Sequence, residues 1–208
     1  MKLTWNGHAC FTMELDGTTV VVDPYPDNYV PGVGHVEATA DIVLCSHQHN
    51  DHKAVEVVKL TGRTPKLDVE ALHTFHDPEG GALRGTNIIH LFSGEGMKIA
   101  HCGDLGCDPA PALKEKLRNL DVMMIPVGGF YTIDAKEAKA LIDELKPRVG
   151  IPMHYRSEVH NFGFDVIGTV EQFLELCDNV VHYESNTVEI TKDTPAQVAV
   201  PAFKNPPV

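Results

Sequence analysis

The sequence predicts a single α/β domain, and three observations support this. Its 208 residues are enough for one domain with a buried core. In the second half of the chain, short apolar runs typical of strands alternate with amphipathic segments typical of helices. The composition, with 43% hydrophobic and 22% charged residues, is ordinary for a globular protein. No repeat or linker divides the chain, so we expect one domain over 1–208 with a loosely packed, proline-rich extension at 194–208.

Charge and cysteine usage narrow the function classes. The formal net charge of −12 disfavours nucleic acid or an anionic membrane as a partner, because both require a cationic face. A small anionic substrate stays possible, since bound divalent cations invert the local field.

Five cysteines without a C-x-x-C motif favour a reduced, cytoplasmic protein. No apolar run approaches membrane-spanning length and no signal-peptide core is present, while the oligomeric state is not indicated.

The chain opens with antiparallel strands. Asp16 and Gly17 form a hairpin turn signal between two of them. His8 falls between the first two strands and is interpreted as a loop residue with a minor chance of facing a site. His35 lies in a long loop and is interpreted as an ordinary polar residue. The predicted strands are 3–5, 10–15 and 18–22, and the loop is 25–40.

The strongest functional signal is the segment 46–52, which holds His47, His49, Asp51 and His52. It follows a short buried strand at 41–45 and precedes a helix predicted at 54–60, a position where chemistry collects in α/β proteins. Imidazole nitrogen and carboxylate oxygen are ligands that zinc accepts. If strand geometry continues, alternate residues share one side, so His47 and His49 serve one metal while Asp51 and His52 serve another. Alternatively, Asp51 is only a helix N-cap and the histidines are polar loop residues.

The pattern His47-x-His49-x-Asp51-His52 resembles the metallo-β-lactamase-fold hydrolases. This resemblance implies a four-layer αββα sandwich with a one- or two-metal site at one sheet edge, and further ligands downstream. It also implies that Asp23, at the end of the strand 18–22, accepts a hydrogen bond from a metal-bound imidazole. The alternative is that Asp23 starts a turn.

A second motif follows the strand predicted at 69–75. The stretch 76–87 contains His-Asp, a glycine pair and Arg-Gly-x-Asn, and it resembles the branch of the family close to the ascorbate-phosphate lactonases and related phosphodiesterases. In that branch the histidine completes the first metal site, a role we assign by resemblance to His76. His73 competes for this role from two strand positions earlier. Arg84 is a candidate anion contact or a plain surface residue.

A hairpin formed by 87–92 and 97–100 leads to His101 and Asp104. Glycine-aspartate after a strand is a common turn. Beside the upstream cluster, however, Asp104 is the expected bridging carboxylate between two metals. His101 is either a hydrogen-bonding partner behind the ligands or a structural histidine at a strand end.

The second half supplies the last candidate ligand. By resemblance, His154 binds the second metal together with Asp51, His52 and Asp104. Tyr155 and Arg156 follow it and are candidates for substrate contact. The predicted helices are 109–119, 134–145 and 169–177, the predicted strands are 121–126 and 149–151, and one or two edge strands are predicted within 180–190.

These assignments predict an enzyme with two divalent cations. A closely spaced metal pair suits hydrolysis by a bridging hydroxide, with Asp51 holding the released proton. The resemblance implies that a glutamate in place of His49 would suggest the di-iron relatives, so the histidine there favours zinc. Manganese or iron stays possible, because ligand type only biases the choice of metal. The expected substrate is a small ester, lactone or phosphodiester. The alternatives are a metal-dependent nuclease, disfavoured by the acidic balance, or a metal-binding or sensing protein without turnover.

Overall fold

A computed structural model describes residues 1–207. It contains two large β-sheets, a two-stranded sheet and three α-helices. The strands are β1 (Lys2–Gly7), β2 (Cys10–Leu15), β3 (Thr18–Val22), β4 (Thr39–Ala40), β5 (Ile42–Leu44), β6 (Lys59–Leu60), β7 (Asp68–Phe75), β8 (Thr86–Gly94), β9 (Met97–His101), β10 (Val122–Pro126), β11 (Val149–Met153), β12 (Val180–His182), β13 (Thr187–Glu189) and β14 (Gln197–Val200). The helices are α1 (Pro111–Lys116), α2 (Ala135–Leu145) and α3 (Val170–Leu174).

The five-stranded sheet has the order β13-β1-β2-β3-β5. Its first hairpins are antiparallel, as predicted, and β5 joins β3 in parallel. Along β2 the side chains alternate: Met13 and Leu15 are buried, while Glu14 between them is exposed. One face of this sheet therefore contributes to the core and the other carries polar residues.

The seven-stranded sheet has the order β12-β14-β11-β10-β9-β8-β7. Strands β7, β8 and β9 are antiparallel neighbours, whereas β9, β10, β11, β14 and β12 are parallel to one another. Every residue of β10 and β11 is buried, as expected of parallel strands covered on both faces. One hydrophobic cluster includes buried side chains of both large sheets. The predicted class, a mixed α/β fold, is observed.

Helix α2 shows how local sequence sets an element. The Asp134 carboxylate accepts from the backbone N–H groups of Lys136 and Glu137, and the Glu137 side chain accepts from the Asp134 N–H in return. This capping box satisfies backbone donors that the first helical turn leaves unpaired. The buried residues Ala138, Leu141 and Leu145 then form one apolar stripe. The helix begins one residue after the predicted start, because Asp134 is its N-cap, and ends at the predicted residue.

Other helical predictions are wrong or too long. The predicted helix 54–60 is a 3-10 turn at Val55–Val57 followed by β6, which pairs with β4. Three valines between 55 and 58 favour extended backbone, since β-branched side chains are restricted in a helix. The predicted helices 109–119 and 169–177 are limited to α1 and α3. Within residues 1–207 all three α-helices follow residue 110.

The C-terminal extension 194–208 is not loosely packed as predicted. Its segment β14 lies between β11 and β12 in the seven-stranded sheet, with Val198, Ala199 and Val200 buried. Farther on, the Asn205 side chain donates to the backbone carbonyl of Asn6. The apolar run fills a position in the sheet that only the assembled fold creates. The last residue of the predicted extension lies outside the described range. Among residues 1–207, no helix is long and apolar enough to cross a membrane.

The topology collects candidate functional residues at one edge. Strands β1, β3 and β5 run in one direction, and β7, β9 and β11 also share a direction. Each is followed directly, or within a few residues, by a polar side chain singled out in the sequence. These are His8, Asp23, the segment 46–52, His76, Asp104 and His154.

Candidate metal centre

Asp104 lies at the centre of a buried cluster of histidines. Its Oδ2 atom is 3.2 Å from His76 Nε2, 3.2 Å from His154 Nε2 and 3.8 Å from His47 Nε2. Its Oδ1 atom is 3.2 Å from His52 Nε2. One carboxylate thus reaches four imidazoles that come from three different loops.

The loop after β9 is built to place this carboxylate. The Asp104 N–H donates to Asn87 Oδ1 at 3.0 Å, and the Asn87 amide donates to the carbonyl of Cys102. Gly103 has a φ of +55°, and a Cβ there would lie 2.4 Å from Asn87 Oδ1 and from Ser46 Cβ. Only glycine fits this approach, because any side chain would clash with the loop that carries His47.

The first half of the cluster is a histidine trio, His47, His49 and His76. Their candidate ligand atoms all lie within 4.8 Å of one another. Ring centroids are 4.7 Å apart for His47 and His49, and 4.7 Å apart for His47 and His76. Burial lowers the pKa of His47 to about 3, and burial of part of its ring also lowers the pKa of His49. These two imidazoles are therefore neutral at pH 7, the form that binds metal.

The second half is a mixed group, His8, Asp51, His52 and His154, whose candidate ligand atoms also lie within 4.8 Å of one another. Asp51 Oδ2 accepts from His8 Nε2 at 3.1 Å and lies 3.5 Å from His52 Nε2. The rings of His8 and His154 pack with centroids 4.1 Å apart. Burial opposes ionisation of Asp51, but the adjacent imidazoles of His52 and His8 hold its pKa far below the usual range.

Asp23 sets the orientation of one histidine in each half. Its Oδ2 accepts from His52 Nδ1 at 3.0 Å and from the Ser46 hydroxyl at 2.6 Å. Because the single Ser46 hydroxyl hydrogen goes to Asp23, the Ser46 oxygen accepts from His47 Nδ1, 2.9 Å away. In its neutral form, each imidazole therefore directs an Nε2 lone pair into the cluster. This is the arrangement in which a carboxylate behind a ligand fixes its tautomer.

The electrostatics around Asp23 agree with that arrangement. Burial alone would raise the pKa of Asp23, but the His52 imidazole lowers it to about 2. Burial alone would lower the pKa of His52, yet the carboxylates of Asp104 and Asp23 raise it well above 6.5. The mixed group is thus surrounded by negative charge that a cation would balance.

The donor set fits a divalent metal. Within residues 1–207, six buried side-chain polar atoms have no hydrogen-bond partner, and all six belong to this cluster. Leaving such an atom unpaired costs about 1–3 kcal/mol, so six in one place indicate a further partner. Imidazole nitrogen and carboxylate oxygen are ligands typical of zinc, manganese and iron. The atoms are His8 Nδ1, His47 Nε2, His52 Nε2, His76 Nδ1, Asp104 Oδ1 and His154 Nδ1.

His8 is the residue that sequence reasoning missed. It was interpreted as a loop residue, but its side chain is buried in the mixed group. Its backbone carbonyl accepts from Trp5 Nε1 and from the His154 N–H, and its φ is +53°. The available signal was its position: His8 follows the carboxyl end of β1, as the other candidates follow the ends of their strands.

The structure separates the two histidines that compete on β7. His76, one residue past the strand, is buried beside Asp104, whereas the His73 side chain is exposed. His101 is buried, donates through Nε2 to the carbonyl of Ala9, and lies with Nδ1 4.0 Å from Asp23 Oδ2. It therefore supports the loops behind the cluster.

Two candidates for substrate contact lie elsewhere. Tyr155 is buried with its ring centroid 5.5 Å from that of Trp5, and Arg156 donates to the carbonyl of Ile167 and to the Glu158 carboxylate. The chain turns at His154, where φ is +53°, so the residues after it leave the site. Neither residue is among those that line the cavity over the cluster.

A cavity of about 370 Å³ opens over the cluster. Residues of both halves line it, together with Asp104 and the half-buried Arg84. Three aromatic side chains, Tyr29, Tyr131 and Phe164, also line it. Its volume is near the lower end of the range of about 300–1,000 Å³ for small-molecule sites.

The fold and this site define the chain as a hydrolase of the metallo-β-lactamase superfamily. The model of the beta-lactamase superfamily domain matches residues 2–154. A solved structure from Thermotoga maritima, assigned to the Zn-dependent hydrolases of this superfamily, is 36% identical to the chain. It superposes with a TM-score of 0.74, and the match covers 96% of each chain.

Sequence relatives give the narrower family. A UPF0173 metal-dependent hydrolase from Methanopyrus kandleri is 30% identical over 217 residues, covering 80% of this chain and 94% of the relative. A UPF0173 protein from Pyrococcus furiosus is 31% identical over 182 residues, covering 74% and 83%. The chain belongs to the UPF0173 metal-dependent hydrolase family.

Proposed function

We propose that the chain hydrolyses a small ester, lactone or phosphodiester with two divalent cations. The histidine trio would hold one cation, and Asp51, His52 and His154 of the mixed group the other. Asp104 would bind both. The observation that carries this proposal is the position of Asp104, whose two carboxylate oxygens face histidines of both halves within 3.2 Å.

Each residue has a distinct task in this proposal. A pair of divalent cations, when bound, supplies an activated water and positive charge that stabilises a developing oxyanion. Asp51 is placed to hold the proton released, because its carboxylate lines the cavity and faces His8 and His52. Asp23 keeps the His52 ring oriented from behind. No serine or cysteine nucleophile is required.

Zinc is the proposed metal, since six of the eight residues in and between the two halves are histidines and none is cysteine. Manganese or iron fits the same donors less specifically. A small-molecule substrate is proposed because the cavity is small and the chain is acidic. We also propose that residues 1–207 form one folding unit, because the core cluster spans both sheets. A cytoplasmic location rests only on the cysteine pattern of the sequence.

Metal loading followed by a substrate screen tests the proposal. The purified chain is depleted of metal, supplied with excess zinc or manganese at neutral pH, and analysed by elemental analysis. We expect about two ions per chain. The loaded protein is then assayed on esters, lactones, thioesters, phosphodiesters and a short RNA. A chain that binds no metal would contradict the proposed metal centre. Cleavage of RNA alone would support the nuclease alternative. Full metal loading without turnover of any substrate tested would support a binding or sensing protein.

A further inference from the structure

Three loops that are distant in the chain each bring one aromatic side chain to the cavity. Tyr29 lies in the loop after β3, Tyr131 in the loop after β10, and Phe164 in the segment after β11. The Phe164 ring centroid is 6.4 Å from that of Tyr29 and 6.5 Å from that of Tyr131. It is also 5.6 Å from the ring of His8. These three rings, the aromatic wall, give the cavity one apolar side that reaches the mixed group.

Arg84 faces the same cavity and supplies its positive charge. Its guanidinium carbon lies 5.8 Å from the centroid of the Tyr131 ring, within the range of a cation–π contact. Among residues 1–207, no ion pair or hydrogen bond joins the Arg84 guanidinium to an acidic side chain, and no other lysine or arginine lines this cavity. A planar guanidinium beside a ring still has N–H donors in its own plane, and these donors can bind a carboxylate or phosphate.

The loop that carries Arg84 is held in one conformation by Asp77. This buried carboxylate accepts four backbone N–H groups, from Glu79, Gly81, Leu83 and Arg84, at 2.9, 3.0, 3.1 and 2.7 Å. The residue before Asp77 is the candidate ligand His76. The Arg84 backbone is therefore fixed relative to the cluster rather than free to move with a surface loop.

We propose that Arg84 and the aromatic wall select the substrate class. The part of the substrate that does not react carries an anionic oxygen group bound by Arg84, and beside it a planar or apolar group that packs on Tyr29, Tyr131 and Phe164. This proposal rests on the proposed function for the bond that is cleaved, and it adds which small esters, lactones or phosphodiesters bind.

The charge of the chain and the enclosure of the cavity explain why Arg84 and the aromatic wall would distinguish anionic substrates from neutral ones. The chain carries a formal charge of −12, so it repels anions in general, and a single cation inside a partly enclosed cavity provides a specific exception. A substrate without an anion would leave Arg84 desolvated without a partner, which costs affinity. An apolar group on the wall adds about 25 cal/mol for each Å² of apolar surface removed from water.

The first test uses ligand binding and needs no turnover. Benzoate combines a carboxylate with a flat ring, and benzamide is its neutral counterpart. Binding of each to the metal-depleted chain is measured by calorimetry or ligand NMR. We expect benzoate to bind at least about ten-fold more tightly than benzamide, a ratio that falls below about two-fold in Arg84→Gln. In Phe164→Ala both ligands should weaken by similar factors.

The matched control is Arg118→Gln, which removes an exposed arginine that pairs with Glu115 on the surface. It should keep the wild-type ratio, and thermal melting should show that all variants remain folded. Equal binding of the two ligands by the wild type, or an unchanged ratio in Arg84→Gln, overturns the proposal. Because metal is absent from this test, failure of the proposed metal chemistry does not affect its outcome.

The second test uses the zinc-loaded chain. Two aryl esters that differ only in a para-carboxylate or a para-carboxamide are compared by kcat/KM. We expect the wild type to prefer the carboxylate at least about ten-fold, and Arg84→Gln to reduce that preference below about two-fold, mainly through KM. Arg84→Lys should keep part of it, since lysine retains the charge but not the planar donors. Turnover with no preference between the esters in the wild type would reject the assignment of Arg84 while leaving the hydrolase proposal intact.

Discussion

The histidine trio and the mixed group both contact Asp104 but differ in charge and burial. The trio contains only imidazoles, and His49 within it is exposed. The mixed group has its own carboxylate, Asp51, and the fully buried His52 is hydrogen bonded to Asp23. A cation in the trio would therefore be held mainly by neutral imidazoles, while a cation in the mixed group would lie among carboxylates. The difference predicts unequal affinity and unequal sensitivity to pH.

The largest effect should come from Asp104, the residue that both halves share. Asp104→Asn keeps nearly the same shape and removes the charge that offsets repulsion between two close cations. We expect loss of the second metal and a fall in hydrolytic turnover of at least ~10²-fold, about 2.7 kcal/mol of transition-state stabilisation. Elemental analysis and turnover provide the measurement, and thermal melting provides the folding control. A variant with two metals and full activity would show that Asp104 is only a turn residue.

The trio is tested by the two histidines of the β7 region. His76→Ala should weaken metal binding by about 10–100-fold, because it removes one of three imidazoles. His73→Ala is the matched control, since its side chain is exposed on the same strand and should leave binding unchanged. Competition with a chromophoric chelator measures both. The reverse result would transfer the ligand role to His73.

The mixed group is tested through His8. His8→Phe keeps an aromatic ring against His154 and removes the nitrogen that donates to Asp51. We expect the affinity for the second metal to fall about ten-fold, with the first metal little changed, because the hydrogen bond orients Asp51 from behind. Stepwise titration with zinc separates the two binding events. Equal weakening of both metals would indicate general loosening of the fold.

The smallest effect is a difference in acid sensitivity. Protons compete with metal for imidazole nitrogen, and the competition starts at a higher pH where the pKa is higher. Burial lowers the pKa of His47 to about 3, whereas Asp104 and Asp23, against the effect of burial, raise that of His52 well above 6.5. As the pH falls, the mixed group should therefore lose metal first, below about pH 6–7, and the trio later.

Metal stoichiometry measured in steps from pH 8 to 4 tests that order. The Asp104→Asn variant is informative here, because it removes one of the two carboxylates that raise the His52 pKa. Its remaining metal should belong to the trio and dissociate at the lower pH. Simultaneous loss of both metals in the wild type would contradict the difference between the halves.

Sequence reasoning was most accurate where a local pattern carries the information. The spacing within 46–52 predicted a cluster, and the apolar stripe predicted α2 to within one residue of its observed start. The family resemblance, together with the upstream cluster, predicted ligand roles for His76, Asp104 and His154. It was least accurate where a residue depends on packing partners far away in the chain, as for the helix predicted at 54–60, which became an extended segment paired with β4.

The sequence by itself determined the ordinary helix and hairpin signals, because these follow from side-chain periodicity and short-range hydrogen bonding. Its motifs also supplied the resemblance that implied the fold class and the candidate ligands. Only the tertiary structure decided that His8 enters the mixed group, that β14 fills the seven-stranded sheet, and that Tyr29, Tyr131 and Phe164 meet beside Arg84. Those contacts join residues up to about 150 positions apart. Their geometry depends on how two sheets and several loops pack together, which no local pattern encodes.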